Sequence, residues 1–171
     1  MSNMVSHPAG SRIIAAIKSA RVEFIASVPD LVTSDGLLWP ISRDPELRLV
    51  RLCKEDEGIS VCAGLSYCDR RALLLMQQTG LMDSLNALRA MGVDYGLPIC
   101  MMVGLLGKEP HLRPSQSKSY GVRVIMPVLE AMGITHHLIE EPGDVDIVRP
   151  AIENAYQVSR PVCLLIGRSP T

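Results

Sequence analysis

The chain has 171 residues, of which 47% are hydrophobic and only 4% aromatic, and its net charge at pH 7 is −1. This length suits one domain with a substantial core, so we expect residues 1–171 to form a single domain. The basic residues are scattered along the chain, which argues against a protein that binds nucleic acid through a basic surface.

Apolar patterning along the chain predicts strands that alternate with helices. The predicted strands are residues 23–28, 47–52, 71–77, 98–104, 135–139 and 161–167. The first predicted helix opens at residues 8–11, a short helix and loop cover 31–44, and further helices cover 55–68, 81–91, 121–132 and 145–159. This alternation indicates an α/β fold: a doubly wound, mainly parallel six-stranded sheet with helices on both faces.

The longest stretch without apolar periodicity is the loop of residues 105–119, and loops of this length are usually functional or mobile. It begins with Gly-Leu-Leu-Gly-Lys at 104–108, which resembles a phosphate-binding loop. The spacing before Gly-Lys is too short, however, and Glu109 takes the place of the Ser or Thr that would bind magnesium. Adjacent His136 and His137 begin a strand, where contact with solvent or a partner explains them better than metal binding. We therefore expect no metal ligands in this chain.

Several features indicate a soluble, cytoplasmic protein. The five cysteines form no CxxC pair, and an odd number of free thiols fits a reducing cytosol. Residues 1–10 lack the basic and apolar regions of a signal peptide. No apolar run reaches the about 18 residues that a membrane span needs.

Polar groups follow two successive predicted strands. Glu55, Asp56 and Glu57 come soon after the strand at 47–52, and a polar turn at residues 78–80 follows the next strand. Ligands collect at the carboxyl ends of strands in an open α/β sheet, so the two segments predict one shared site. The alternative for the three acids is capping or solvent exposure, because carboxylates are favoured at the N-terminus of a helix.

The spacing of the acidic segment resembles a known domain. Glu55 lies nine residues before Gly64 across a run of small residues, as in the pyrimidine-binding domain of thiamine-diphosphate-dependent decarboxylases. Further segments are similar to the α subunit of sulfopyruvate decarboxylase and to phosphonopyruvate decarboxylase. These segments are residues 76–81, 84–88, 127–134 and 160–162, together with the strand that Pro98 opens. The resemblance extends over essentially the whole chain.

The resemblance implies a function and a set of site residues. Glu55 would be the buried catalytic carboxylate that hydrogen-bonds the pyrimidine of thiamine diphosphate, and Gln78, Thr79 and Gly80 would also line the cofactor. No Gly-Asp-Gly segment for the diphosphate and Mg²⁺ occurs here, so a β subunit would hold mainly those groups within a hetero-oligomer. The implied reaction converts sulfopyruvate to sulfoacetaldehyde and carbon dioxide. Phosphonopyruvate or another 2-oxo acid remains an alternative substrate, and a non-catalytic regulatory or interaction subunit remains an alternative role.

The chain departs from this family at two places. Met82 and Asp83 stand where the family usually has Gly and Asn, and the segment at 104–107 lacks the arginine that relatives tend to carry there. Arginine is the usual bidentate partner of sulfonate-like and phosphonate groups, so its absence weakens the case for a doubly anionic substrate. Cationic or titratable residues further along the loop are the candidates to replace it: Lys108, His111, Arg113 and Lys118.

Overall fold

Six parallel strands form one sheet in the computed structural model, which describes residues 6–171. The strands are β1 (Phe24–Ser27), β2 (Arg48–Arg51), β3 (Ala72–Gln77), β4 (Cys100–Gly104), β5 (Thr135–Ile139) and β6 (Val162–Ile166). Their order across the sheet is β2-β1-β3-β4-β6-β5, and every neighbouring pair is parallel. The predicted sheet is confirmed. Residues 1–5 lie outside the described residues. They belong to the predicted domain and to the segment 1–10, which was predicted not to be a signal peptide.

Helices cover both faces of the sheet. They are α1 (Gly10–Ser19), α2 (Trp39–Ile41), α3 (Glu55–Tyr67), α4 (Gln78–Asp83), α5 (Leu85–Leu88), α6 (Tyr120–Ala131) and α7 (Val148–Val158). Helices α1 and α7 pack on one face, and α3 and α6 pack on the other. None of the helices described within residues 6–171 is long and apolar enough to cross a membrane.

The central strand β3 shows how the two cores form. Leu73 and Leu75 belong to the core beside α1 and α7, while Leu74 and Met76 belong to the core beside α3 and α6. Side chains alternate between the faces of a strand, so a continuously apolar sequence fills both cores at once. Aliphatic residues dominate these cores, as the low aromatic content predicts.

Three of the five cysteines are part of these cores. Cys62, Cys100 and Cys163 are buried, while Cys53 and Cys68 are exposed. Burial raises the pKa of Cys62 to about 12 and raises the pKa of Cys100 still further. Each buried group is therefore a neutral thiol at physiological pH and packs as a small hydrophobic side chain.

The helix predicted at 81–91 begins earlier and is interrupted. Helix α4 starts at Gln78, directly after β3, and α5 starts at Leu85. Between them the hydroxyl and the amide of Ser84 both donate to the Gly80 carbonyl oxygen, at 2.7 Å and 3.0 Å. Residues 89–94 then form a wider helical turn. The polar segment at 78–80 thus forms the first turn of a helix, whereas the sequence predicted a turn before one.

The two ends of the described chain are joined at backbone level. The amide of Gly10 donates to the Thr171 carbonyl oxygen at 2.8 Å, and the amide of Thr171 donates to the Pro8 carbonyl oxygen at 3.1 Å. Gly36 packs against the same tail, because an added Cβ at Gly36 would lie 2.2 Å from the Pro170 carbonyl oxygen. Only glycine fits at position 36 without moving the backbone of the tail.

We expect Gly36→Ala to destabilise the protein by about 1–3 kcal/mol, since the added methyl group overlaps a backbone atom. Gly64→Ala is the matched control, because Gly64 lies in α3 with no heavy atom within 4 Å of an added Cβ. The control is expected to stabilise the protein by about 0.5–1 kcal/mol through helix propensity. Urea unfolding curves measure both changes. Equal stability of the two variants would contradict the packing described here.

Candidate functional site

The predicted site residues lie at the carboxyl edge of three neighbouring strands. Glu55 opens α3 after β2, and Gln78 opens α4 directly after β3, with β1 between these two strands. Because all the strands are parallel, their carboxyl ends share one edge of the sheet. The structure therefore brings the acidic segment and the segment at 78–80 together, as the sequence predicted.

The three acidic residues at the start of α3 have different surroundings. The Glu57 carboxylate accepts hydrogen bonds from the amides of Cys53 (3.0 Å) and Lys54 (3.3 Å), and therefore caps the helix. Asp56 forms an ion pair with Lys54 at 3.4 Å. Within residues 6–171, the Glu55 carboxylate has no ion-pair partner and accepts no hydrogen bond. Capping and surface pairing thus account for two of the acids but not for Glu55.

Glu55 lies directly against the backbone of Gly80. An added Cβ at Gly80 would be 2.3 Å from Cγ, Cδ and Oε1 of Glu55, so the glutamate occupies the space that any other residue would fill. Glu55 is half-buried, whereas Gly80 is buried. A carboxylate held in a cradle, without a protein partner and reachable from solvent, has the chemistry to bind a protonated or N–H-bearing ligand.

The two residues before Gly80 make protein contacts of different kinds. Gln78 is buried, and its amide forms two hydrogen bonds with the backbone of Leu106, one donated at 3.0 Å and one accepted at 2.8 Å. Thr79 is exposed, and its hydroxyl accepts a hydrogen bond from the Gln77 side chain at 3.1 Å. Gln78 thus ties α4 to the start of the 105–119 loop, while Thr79 lies on the open side of the edge.

The two residues that depart from the family pattern have clear structural surroundings. Met82 packs against the core beside α3 and α6. Asp83 forms an ion pair with Lys54 at 2.9 Å. Hydrogen bonds from Lys54 to the Asp83 and Asp56 carboxylates raise the pKa of Lys54 above its ordinary value. The pair joins the start of α3 to the end of α4, the two helices that carry Glu55 and Gly80.

The four loop residues predicted to contact a substrate fall into two groups. Lys108 is buried and forms an ion pair with Glu140. His111, Arg113 and Lys118 are exposed, and within residues 6–171 none of these three side chains forms an ion pair. The structure thus places three of the four where a soluble anion could reach them.

A cavity beside the site was not predicted from the sequence. It has a volume of about 330 Å³ at the carboxyl edge of β1 and β3, and its walls include Asp30, Leu31, Trp39 and Gln77. The available signals were the Pro-Asp pair that ends the first predicted strand and the single tryptophan. Neither the Pro-Asp pair nor the tryptophan is enough to predict that the segment after β1 folds back over the end of β3.

Asp30 shapes the wall of this cavity. Its carboxylate accepts hydrogen bonds from the amides of Val32 (2.6 Å) and Thr33 (2.9 Å), and from the Thr33 hydroxyl. The turn packs on the end of β4, because an added Cβ at Gly104 would lie 2.9 Å from Asp30 Oδ1. Asp30 is buried and fully engaged, so it supports the site rather than offering a free carboxylate.

Comparison with known proteins finds relatives of one kind. A Methanocaldococcus jannaschii protein named sulfopyruvate decarboxylase subunit alpha is 26% identical over 154 residues, which is 90% of this chain and 89% of that protein. A protein of the same name from Methanothermobacter thermautotrophicus is 33% identical over 104 residues, 61% of this chain and 62% of that protein. The predicted resemblance to these α subunits is therefore confirmed at the level of sequence similarity.

A third relative is much longer than the region that it shares with this chain. The Methanosarcina acetivorans protein named sulfopyruvate decarboxylase is 26% identical over 165 residues, which is 91% of this chain. The match spans only 39% of that protein, about two fifths of its length. No protein-family model matches the chain.

We expect Asp30→Ala to lower the free energy of unfolding by about 1–3 kcal/mol, because two buried amides and a hydroxyl lose their acceptor. Asp35→Ala is the control, since Asp35 lies on the same segment but is exposed. Chemical unfolding monitored by circular dichroism measures both variants. If Asp30→Ala unfolds at the same denaturant concentration as the control, the supporting role of Asp30 is wrong.

Proposed function

We propose that this chain is the α subunit of a two-chain, thiamine-diphosphate-dependent decarboxylase that converts sulfopyruvate to sulfoacetaldehyde and carbon dioxide. The observation that carries the proposal is the unpartnered Glu55 carboxylate in its cradle at Gly80. The names of the relatives support the reaction and the subunit type. The parallel sheet and the position of Glu55 at its carboxyl edge support an α/β ligand-binding domain.

Glu55 fits the group that recognises the aminopyrimidine of the cofactor. Thiamine diphosphate, when bound, supplies a carbon that adds to the 2-oxo group and takes up the electrons released with carbon dioxide. Glu55 would hold a proton at its carboxylate, shared with a ring nitrogen, and would thereby favour the reactive tautomer of the ring. Its half-burial limits competition from water for this hydrogen bond.

The rest of the cofactor would be held by residues outside this sequence. Diphosphate and Mg²⁺ need acidic and amide ligands in a Gly-Asp-Gly type of segment, which this sequence does not contain. A β subunit would supply that segment, so that the cofactor lies between the two chains. The designation of the relatives as alpha subunits supports a partner of this kind.

The substrate carries a carboxylate and, for sulfopyruvate, a sulfonate. The exposed loop residues His111, Arg113 and Lys118 are the candidates to bind the sulfonate, since N–H donors, and the charged ones above all, recognise such groups by short hydrogen bonds. Phosphonopyruvate would meet the same residues, so it remains the alternative substrate within this enzyme class. Met82 and Asp83 do not favour a non-catalytic subunit, because core packing and the pair with Lys54 account for both.

We expect Glu55→Gln to reduce turnover of sulfopyruvate by about 100-fold or more, because the amide cannot exchange a proton with the pyrimidine. The variant is mixed with the candidate β chain, thiamine diphosphate and Mg²⁺, and both calorimetric binding and sulfoacetaldehyde formation are measured. Asp56→Asn is the matched control and is expected to retain activity. Full activity of Glu55→Gln would rule out the proposed role. Absence of cofactor binding by a well-folded wild-type complex would favour the non-catalytic alternative.

We expect Gly80→Ala to lower kcat by about 100-fold, because the new methyl group displaces the Glu55 side chain from its cradle. The fold should survive, since the half-buried Glu55 side chain can turn toward solvent. Gly143→Ala is the control, because an added Cβ there meets no atom within 4 Å. Steady-state kinetics and a thermal melt are compared for the two variants. Wild-type kcat in a folded Gly80→Ala enzyme would show that the cradle is not needed.

A further inference from the structure

A buried ion pair lies beneath the first part of the 105–119 loop. Lys108 Nζ pairs with the Glu140 carboxylate, and the side chains are 0% and 18% exposed, respectively. Lys108 Nζ also donates a hydrogen bond to the Glu109 carbonyl oxygen at 3.0 Å. Leaving either charge buried without its partner would be strongly destabilising. The Lys108 ammonium group is therefore occupied by contacts within the protein, unlike the side chains of Arg113 and Lys118, which are exposed.

Three adjacent strand ends meet at this pair. Lys108 follows β4, Glu140 follows β5, and Gly167 follows β6, which lies between those two strands. An added Cβ at Gly167 would lie 2.6 Å from Glu140 Oε1 and 2.7 Å from its Cγ. The absence of a side chain at position 167 thus leaves the space in which Glu140 reaches Lys108.

Other contacts close the loop on itself and hold it to the sheet. The Arg168 guanidinium donates to the Pro110 carbonyl oxygen at 3.0 Å. The Glu109 carboxylate accepts hydrogen bonds from the Ser117 hydroxyl at 2.8 Å and from the Lys118 amide at 3.1 Å. The loop is therefore held at Leu106 by Gln78 and at residues 108–110 by Glu140 and Arg168. Within the loop, Glu109 is joined to Ser117 and Lys118.

The fixed loop is coupled to the proposed active site. Gln78 is the first residue of α4, and its side chain forms two hydrogen bonds with the backbone of Leu106. The same helix holds Gly80 against Glu55. A shift of the loop would therefore change the surroundings of α4 as well as the position of the exposed cations.

We propose that Lys108 is a positioning residue. With Glu140 it fixes the 105–119 loop on the carboxyl ends of β5 and β6, so that Arg113 and Lys118 meet the substrate anion in a constant position. This inference rests on the proposed function and deepens it. It assigns the sequence-predicted substrate role to the exposed loop cations and gives Lys108 a different one.

Hydrogen–deuterium exchange on the full chain tests the pair without requiring activity. Lys108→Met and Glu140→Gln each remove one charge at similar size, and either should speed exchange of the hydrogen-bonded amides in residues 105–119 by about tenfold or more. Exchange in α1 and α7 should stay at the wild-type rate. Lys118→Met is the matched control, because within residues 6–171 the exposed Lys118 side chain forms no hydrogen bond or ion pair, so its loss should leave loop exchange unchanged. Wild-type loop exchange in both charge variants would overturn the proposal.

The double variant Lys108→Met/Glu140→Gln keeps the test decisive if a single variant fails to fold. It leaves no unpaired buried charge, so it should fold and still show faster loop exchange than the wild type. A folded double variant whose loop exchanges at the wild-type rate would overturn the proposal.

Kinetics of the complex with the β chain separate positioning from substrate binding. If the pair positions the loop, Lys108→Met and Glu140→Gln should raise KM for sulfopyruvate by similar factors, about tenfold each. A rise in KM for Lys108→Met alone would show that Lys108 binds the substrate directly and would overturn the proposal. If the wild-type complex has no decarboxylase activity, the proposed function fails, while the exchange experiment still decides whether the pair fixes the loop.

Discussion

The contact between the Glu55 side chain and the backbone of Gly80 is the constraint on which the site depends. It requires β2 and β3 to end at the same edge, α3 to begin at an acidic residue, and α4 to begin directly after β3, with no side chain at position 80. The parallel sheet supplies the first condition, because every strand ends at that edge. The start of α3 is capped by Glu57, so Glu55 can open the helix without serving as its cap.

The sequence was sufficient to predict the sheet and the edge of the sheet at which Glu55 and Gly80 meet. The alternation of apolar segments predicted all six strands, and the clearest cases are β3, β4 and β6, whose residues are buried almost without interruption. The acidic segment could be placed at a strand end by position alone. Periodicity alone does not distinguish the three adjacent acids. The family resemblance singled out Glu55, whereas the capping role of Glu57 depends on hydrogen bonds from the backbone of Cys53 and Lys54 that only the structure shows.

Long-range polar contacts account for what could not be predicted. Lys108 and Glu140 are far apart in sequence, and nothing in the local pattern around either residue indicates a buried pair. Gln78 is a similar case, because its partner is the backbone of Leu106 in a loop without periodicity. Sequence periodicity reports which side chains are apolar and which face they share, whereas these partners are set by how separate strand ends meet in space.

The carboxyl edge of the sheet has two halves with different electrostatic character. Beyond β4, the Lys108 side chain is buried and its charge is paired with Glu140. At β2, β1 and β3 the edge contains a cavity and Glu55, whose carboxylate has no partner within residues 6–171. A carboxylate that binds a ligand has to be reachable, and the half-buried Glu55 lies in the half of the edge that also contains the cavity. Gln78 joins the two halves at the β3–β4 boundary through its two hydrogen bonds with the backbone of Leu106.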